Sequence, residues 1–483
     1  MELPYNKRIK HGFSQIHNRE LGLFKPRNFS KTFSASEEIV KQINLYGKLM
    51  GHEGCVNSVE FNSTGDVLVS GSDDKNVMFW DWISGTTTVS YPSGHFDNIF
   101  QTKIMPLTDD RTIVTSSADG QVRVGQVLED GRVDTKKLGK HQGRVYKLAV
   151  EPGSPHIFYS CGEDGFVQHF DLRMRSSSST KLVCCSSFTE NNSRRSFNCI
   201  SLNSIVIDPR NPHYFAVGGS DEYARVYDLR KCGWDASNSL DAPFNIFCPR
   251  HLIGGKNVHI TGLAYSNTSE LLVSYNDELI YLFQKSMGIG PDPLSVPSKD
   301  LQKPEEPQVY TGHRNSKTVK GVSFFGPNDE YVSSGSDCGN IFIWKKKDGK
   351  LVRLMSGDRY VVNQIDPHPH MPMFATCGLE KNVKLWVPMA SEHSPIPDNV
   401  ERIMESNRQG REDNSRVNLT PDVIMHVLRL QRRQALAYVE RRYNRGDVES
   451  DDEEAEAYAF GFSTGDASSE AGSDENSGEC NIS

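Results

Sequence analysis

The 483-residue sequence contains no run of 18 apolar residues, so no helix of it is expected to cross a membrane. It has no Gly-rich phosphate loop, no His-Glu-x-x-His and no Cys-x-x-Cys pair, which removes the common nucleotide-binding, zinc-protease and dithiol signatures. Ten cysteines, including the adjacent Cys184 and Cys185, fall at no metal or disulfide-framework spacing and read as thiols in a reducing compartment. Lys7, Arg8 and Lys10 have no apolar stretch behind them, so no secretory signal is expected; nucleus and cytoplasm are the expected compartments. Lys and Arg are missing from residue 447 onward, where twelve Asp and Glu stand. Removing those twelve from the net charge of −8 leaves +4 on residues 1–446, an acidic tail on a mildly basic body.

What is present is a repeat. Seven times, a tight turn is followed five or six residues later by an aromatic strand end, most clearly in Ser70-Gly71-Ser72-Asp73-Asp74-Lys75-Asn76-Val77-Met78-Phe79-Trp80-Asp81. The aligned turn positions are Asp74, Asp119, Asp164, Asp221, Asp277, Cys338 and Glu380, separated by 45, 45, 57, 56, 61 and 42 residues. A period near 40–45 with insertions is the signature of propeller blades. The expected fold is therefore all-β, a seven-bladed β-propeller over residues 43–390. Ile43-Asn44-Leu45-Tyr46-Gly47-Lys48-Leu49 alternates like a half-buried strand, and in a closed ring it would complete the last blade and remove an exposed edge.

Around the ring lie extensions. Residues 1–42 carry helical and turn signals, with Ser34-Ala35-Ser36-Glu37 fitting a capping box led by Ser34. Residues 391–446 are expected to be a linker followed by a helix capped by Thr420 and Pro421, with Arg441, Arg442 and Arg445 in its last turn before Gly446. Residues 447–483 read as a disordered acidic tail. Three polar insertions, 176–196, 232–257 and 286–307, are expected to be surface loops.

His52, Ser70, Asp74 and Trp80 can form one buried chain of hydrogen bonds, carboxylate to imidazole to hydroxyl to indole. A Ser–His–Asp catalytic reading fails because the set recurs from blade to blade, so the network is structural. Cys338 interrupts the pattern in the sixth copy, where Asp337 is displaced by one place and a rearranged turn is expected. Asp366-Pro367-His368-Pro369-His370 invites a metal reading, yet its two prolines and the lack of further ligands make it a rigid inter-strand loop. No catalytic set, cofactor or metal is expected.

The more informative constellation is Phe170-Asp171-Leu172-Arg173 and its repeat, Tyr227-Asp228-Leu229-Arg230, at the strand ends of blades three and four. Arginine two residues past a strand end projects from one rim, and two on neighbouring blades present guanidinium forks suited to carboxylates. The blades resemble WD40 repeats, and the paired arginines resemble the WDxR box of substrate receptors of cullin-4 RING ubiquitin ligases, the DDB- and cullin-associated factors. Gly51-His52-Glu53-Gly54-Cys55-Val56-Asn57, Ser274-Tyr275-Asn276-Asp277-Glu278, Thr318-Val319-Lys320-Gly321-Val322, Gly335-Ser336-Asp337-Cys338-Gly339 and Pro367-His368-Pro369-His370 carry the same resemblance, which covers residues 45–390. The departure is Phe170 and Tyr227 in place of tryptophan before the two aspartates.

The resemblance implies that Arg173 and Arg230 face the damaged-DNA-binding adaptor of the ligase, with Asp171 and Asp228 orienting the rim turns. It also implies an N-terminal helical element entering the adaptor's cleft. Residues 2–24, with Leu3, Ile9, Phe13, Ile16 and Leu21, are the candidate, and packing on the propeller's own flank is the competing placement. The function implied is that of a non-catalytic subunit bridging the adaptor to client proteins for ubiquitination. The competing reading is a WD40 scaffold or chromatin and histone adaptor with no ligase role. Membranes and nucleic acid are not expected partners.

Overall fold

The computed structural model describes residues 12–174, 179–185, 199–232, 242–255, 258–292, 306–389 and 396–415. Seven four-stranded antiparallel sheets follow one another along the chain. Blade one is Val56–Phe61, Val67–Ser72, Asn76–Asp81 and Thr86–Pro92, and its register Val69↔Phe79 and Phe79↔Val89 places apolar residues opposite one another. The first strands of successive blades contact each other around the ring and line a central channel. Apolar side chains between blades form a series of cores, for example Leu68, Trp80 and Trp82 of blade one against Met373, Ala375 and Leu385 of blade seven. In such a sheet, the connections between strands one and two and between strands three and four lie on one face of the disc. The remaining connections lie on the other face.

The ring is closed by the strand read from its alternation. Ile43–Met50 pairs antiparallel with Asn382–Pro388, Ile43 opposite Pro388 and Met50 opposite Asn382. Blade seven thus joins the two ends of the propeller and has no free outer edge at Asn382–Pro388. The His-Pro loop fastens blade seven to blade one. His368 Nε2 lies 3.1 Å from the Gly65 carbonyl, His370 Nε2 lies 3.0 Å from the Ser63 carbonyl, and the Asp366 carboxylate accepts from the Phe61 amide at 2.8 Å.

Before the ring come three helices, α1 (Gly12–Glu20), α2 (Pro26–Ser34) and α3 (Glu37–Lys41). The helix cap is Ser36 rather than Ser34: Ser36 Oγ accepts from the Ile39 amide, and Ser34 is the buried end of α2. Glu37 does not complete a capping box. Its carboxylate instead binds Lys345 Nζ at 2.6 Å and Lys41 Nζ at 2.9 Å, latching α3 to blade six. The salt bridges reward reaching outward more than a return to the cap would.

Two of the insertions hold strands that their composition hides. Thr180–Cys184 is the fourth strand of blade three, and Asn245–Phe247 the fourth strand of blade four. An outermost strand needs only one paired edge, so a short polar segment suffices. Past the ring, α4 (Val400–Ser415) occupies what reads as linker. Val400, Ile403 and Met404 pack against the Tyr310, Phe342 and Trp344 cluster, and Asn407 Nδ2 donates to the Gly312 carbonyl at 2.8 Å. The expected helix capped by Thr420 and the acidic tail lie outside the described residues. A separate unit, Asp413–Asn481, enters them only through the last turn of α4.

Candidate functional site

In blade three the third strand, Phe166–Asp171, ends with Asp171 opposite Ile157. The chain then turns: the Leu172 amide donates to the His156 carbonyl and the Met174 amide to the Asp171 carbonyl. Asp171 Oδ1 accepts from the Arg173 amide at 3.0 Å and from Nε at 2.9 Å, while Oδ2 accepts from Nη2 at 2.7 Å. Blade four repeats the construction. Asp228 stands opposite Tyr214, the Leu229 amide donates to His213, and Asp228 accepts from the Arg230 amide, Nε and Nη2 at 3.0, 2.9 and 2.8 Å. The aromatic residues that replace tryptophan hold their planes: Phe170 stacks on Phe158 and Tyr227 on Phe215.

Each aspartate therefore orients its own arginine. Its hydrogen bond from Arg173 holds the Asp171 carboxyl at about 2, and that from Arg230 holds Asp228 below the usual carboxylate range. Two edges of each guanidinium result. The Nε–Nη2 edge is spent on the aspartate, and the end bearing Nη1 and the second Nη2 hydrogen faces outward, the side chains being 61% and 57% exposed. Both guanidinium ends lie in solvent, although the Asp228 carboxylate is buried, and pairs opened to water on one side add little stability, so the construction mainly fixes direction. Both arginines follow a third strand and so lie on the same face, on adjacent blades.

That face also carries apolar residues the sequence reading did not single out. Ile83, 64% exposed, occupies in blade one the position that arginine holds in blades three and four, its amide bonded to Asp81 Oδ1 at 3.1 Å. Leu107 in the first connection of blade two is 80% exposed, and Met174 beside Arg173 is exposed as well. The signal was available: Asp81-Trp82-Ile83 aligns with Asp171-Leu172-Arg173. Among the N-terminal candidates, Ile16 and Leu21 are exposed rather than packed on the flank, while α1 and α2 meet through Arg19 over the Phe29 ring. Residues 1–11, with Leu3 and Ile9, and the Phe13 side chain lie outside what the structure describes.

The other face carries the turn networks. His52 Nδ1 lies 2.8 Å from Asp74 Oδ2, His52 Nε2 lies 2.7 Å from Ser70 Oγ, and Trp80 Nε1 donates to Ser70 Oγ at 2.8 Å. His95 with Asp119 and Thr115, and His141 with Asp164 and Ser160, repeat it. Elsewhere the acid binds a cation in place of a histidine: Asp221 binds Arg225, and Glu380 binds Lys384. In blade six the turn is rearranged, Asp337 pairing with buried Lys320 and accepting from the Ser316 amide at 2.6 Å. His313 is left packed on Trp344 with neither ring nitrogen bonded among the described residues.

The channel holds a charged group that the sequence did not reveal. Glu60, Lys103, Lys147 and Asp366 stand on the first strands of blades one, two, three and seven. Glu60 binds Lys103 at 2.6 Å, burial raises Asp366 to about 7, and burial lowers Lys147 to about 8. Cys161 and Cys377 are fully buried and held protonated by that burial. The cluster compensates charge rather than activating a nucleophile.

The sequence model of the WD domain, G-beta repeat, matches residues 43–81, 305–345 and 349–387. The chain carries WD40 repeats. As a fold, the WD40 propeller also matches the crystal structure of the Myceliophteria thermophila Cps50 (Swd1) β-propeller domain, with TM-score 0.53 and 20% identity over 71% of this chain and 99% of that one. In sequence it is similar to DDB1- and CUL4-associated factor 6 of Mus musculus, 33% identical over 296 residues, which cover 60% of this chain and 32% of that protein. It is also similar to Protein ALTERED SEED GERMINATION 2 of Arabidopsis thaliana, 36% identical over 277 residues, 52% of this chain and 37% of that one. The matched region spans about a third of the length of these curated relatives. WD40 propellers typically serve as non-catalytic scaffolds.

Proposed function

We propose that this WD40 propeller is a substrate-recognition subunit of a cullin-4 RING ubiquitin ligase, working in the nucleus and cytoplasm. The observation that carries the reading is the pair of Asp–Arg forks, built alike and aimed outward on one face of adjacent blades. Arg173 and Arg230 bind carboxylates of the damaged-DNA-binding adaptor, with Asp171 and Asp228 holding them in position. Ile83, Leu107 and Met174 supply apolar contact on the same face, and α1 adds a second contact through Ile16 and Leu21. Similarity to a protein named as a DDB1- and CUL4-associated factor supports the assignment. Within that group, the type we propose is the eighth factor, on the resemblance of the glycine-rich and His-Pro segments.

In this role the chain has no chemistry of its own. It keeps a client near a conjugating enzyme carried by other subunits, which raises effective concentration. The test is capture of purified adaptor by the wild type and by Arg173→Ala/Arg230→Ala. Each charge-assisted contact is worth roughly tenfold or more in affinity, so the double variant should bind at least roughly a hundredfold more weakly with an unchanged melting temperature. Equal capture by both proteins would take the arginines out of the contact, leaving docking through residues 2–24 or a scaffold without a ligase role.

A further inference from the structure

Cys184 ends the fourth strand of blade three, and Cys199 lies beyond the polar insertion that follows it. Their sulfurs are 3.6 Å apart. Both are free thiols, Cys184 partly buried and Cys199 exposed. The backbone beside each is fixed: the Cys185 amide donates to the Gly165 carbonyl at 2.9 Å, and the Ile200 amide donates to the Cys185 carbonyl at 2.9 Å. Gly165, at φ +77°, lets Cys199 sit directly over it, since a Cβ there would stand 2.8 Å from Cys199 Cβ. The two sulfurs are thus held within about 1.6 Å of a disulfide bond length by structure independent of that bond. Cys185 is excluded from the pair, because it is fully buried with its sulfur 3.5 Å from the Tyr227 hydroxyl.

We propose that Cys184 and Cys199 form a thiol modification site that closes to a disulfide by exchange with a low-molecular-weight disulfide of the glutathione class. The inference stands apart from the adaptor reading, and the site lies on the face opposite the arginine forks. Exposure sets the order of events. Cys199 thiolate attacks one sulfur of the small disulfide, forming a mixed disulfide and releasing one glutathione thiolate. Cys184 then loses its proton to water and attacks the Cys199 sulfur, expelling the second glutathione. Two protein thiols are oxidised, one glutathione disulfide is reduced, and the two protons end on the two released glutathiones. Burial and the bond to Cys199 push the Cys184 thiol up to about 12, so it acts as resolver rather than first nucleophile. The product ties together the two ends of segment 186–198.

The full chain, equilibrated in glutathione buffers of rising disulfide fraction, alkylated and digested with trypsin, tests this. Cleavage at Lys181, Arg194, Arg195 and Arg210 puts Cys184 and Cys199 on separate peptides, 182–194 and 196–210. The two peptides should become linked, both thiols disappearing from alkylation together, and fragmentation between Cys184 and Cys185 should place the link on Cys184. Cys184→Ser should stop at glutathione on Cys199, and Cys199→Ser should leave Cys184 reduced. The proposal is overturned by wild type that stays unlinked at the most oxidising ratio, by a link through Cys185, or by glutathione accumulating on Cys184 instead.

Discussion

Ser70→Ala isolates what a blade network contributes. Ser70 Oγ accepts the Trp80 indole N–H at 2.8 Å and lies 2.7 Å from His52 Nε2. With no other acceptor near it among the described residues, its hydroxyl donates to Nε2, which leaves the Nδ1 proton for Asp74. Ser70 is fully buried, Trp80 is 1% exposed and His52 6%. Alanine strands two buried polar atoms at once, each costing about 1–3 kcal/mol, and the expected loss is about 2–6 kcal/mol. Urea unfolding followed by circular dichroism reads it as a midpoint shift at unchanged slope. Trp80→Phe provides the decisive comparison. In that background Ser70→Ala orphans only the imidazole, so its cost should fall by about 1–3 kcal/mol. A Ser70→Ala protein within about 0.5 kcal/mol of wild type, or a strictly additive pair, would show that the chain of bonds is not coupled and that the turn is held by its backbone alone.

Two further outcomes follow from the blades. Burial holds His313 neutral at about 3, with the charges of Arg411 and Lys320 adding to the effect. The unfolded chain therefore takes up a proton below about 6.5 that the folded chain refuses, and stability present above that pH drains away toward 3, at up to about 1.4 kcal/mol per pH unit. His313→Phe should flatten the stability profile between about pH 6.5 and 4.5, and an unchanged slope would place the titration elsewhere. Deleting residues 43–50 exposes Asn382–Pro388 as an unpaired edge. Size-exclusion chromatography should then show self-association, whereas a stable monomer would mean that the edge is protected without its partner strand.

Much of this was legible because propeller blades repeat their chemistry. The seven turns, the strand Ile43–Met50 and the set of His52, Ser70, Asp74 and Trp80 each depend on short patterns that the chain states several times. What escaped depends on single, nonlocal partners. Ser36 displaced Ser34 as the cap because Glu37 found Lys345, more than three hundred positions away in sequence. Helix α4 hid because its only apolar turn, Val400, Ile403 and Met404, precedes a wholly polar continuation. The outer strands Thr180–Cys184 and Asn245–Phe247 lie in stretches whose composition favours loops, and register with their neighbours decided otherwise. The channel charges Glu60, Lys103, Lys147 and Asp366 converge only once the ring closes.

That closure sets an order of manufacture. Met50 leaves the ribosome long before its partner Asn382, so the earliest strand of the propeller waits through synthesis of every other blade. Until the final segment emerges, Ile43–Met50 is an orphan with exposed hydrogen-bonding groups. The nascent protein thus has a vulnerable interval whose length is set by translation speed rather than by the folding of any one sheet.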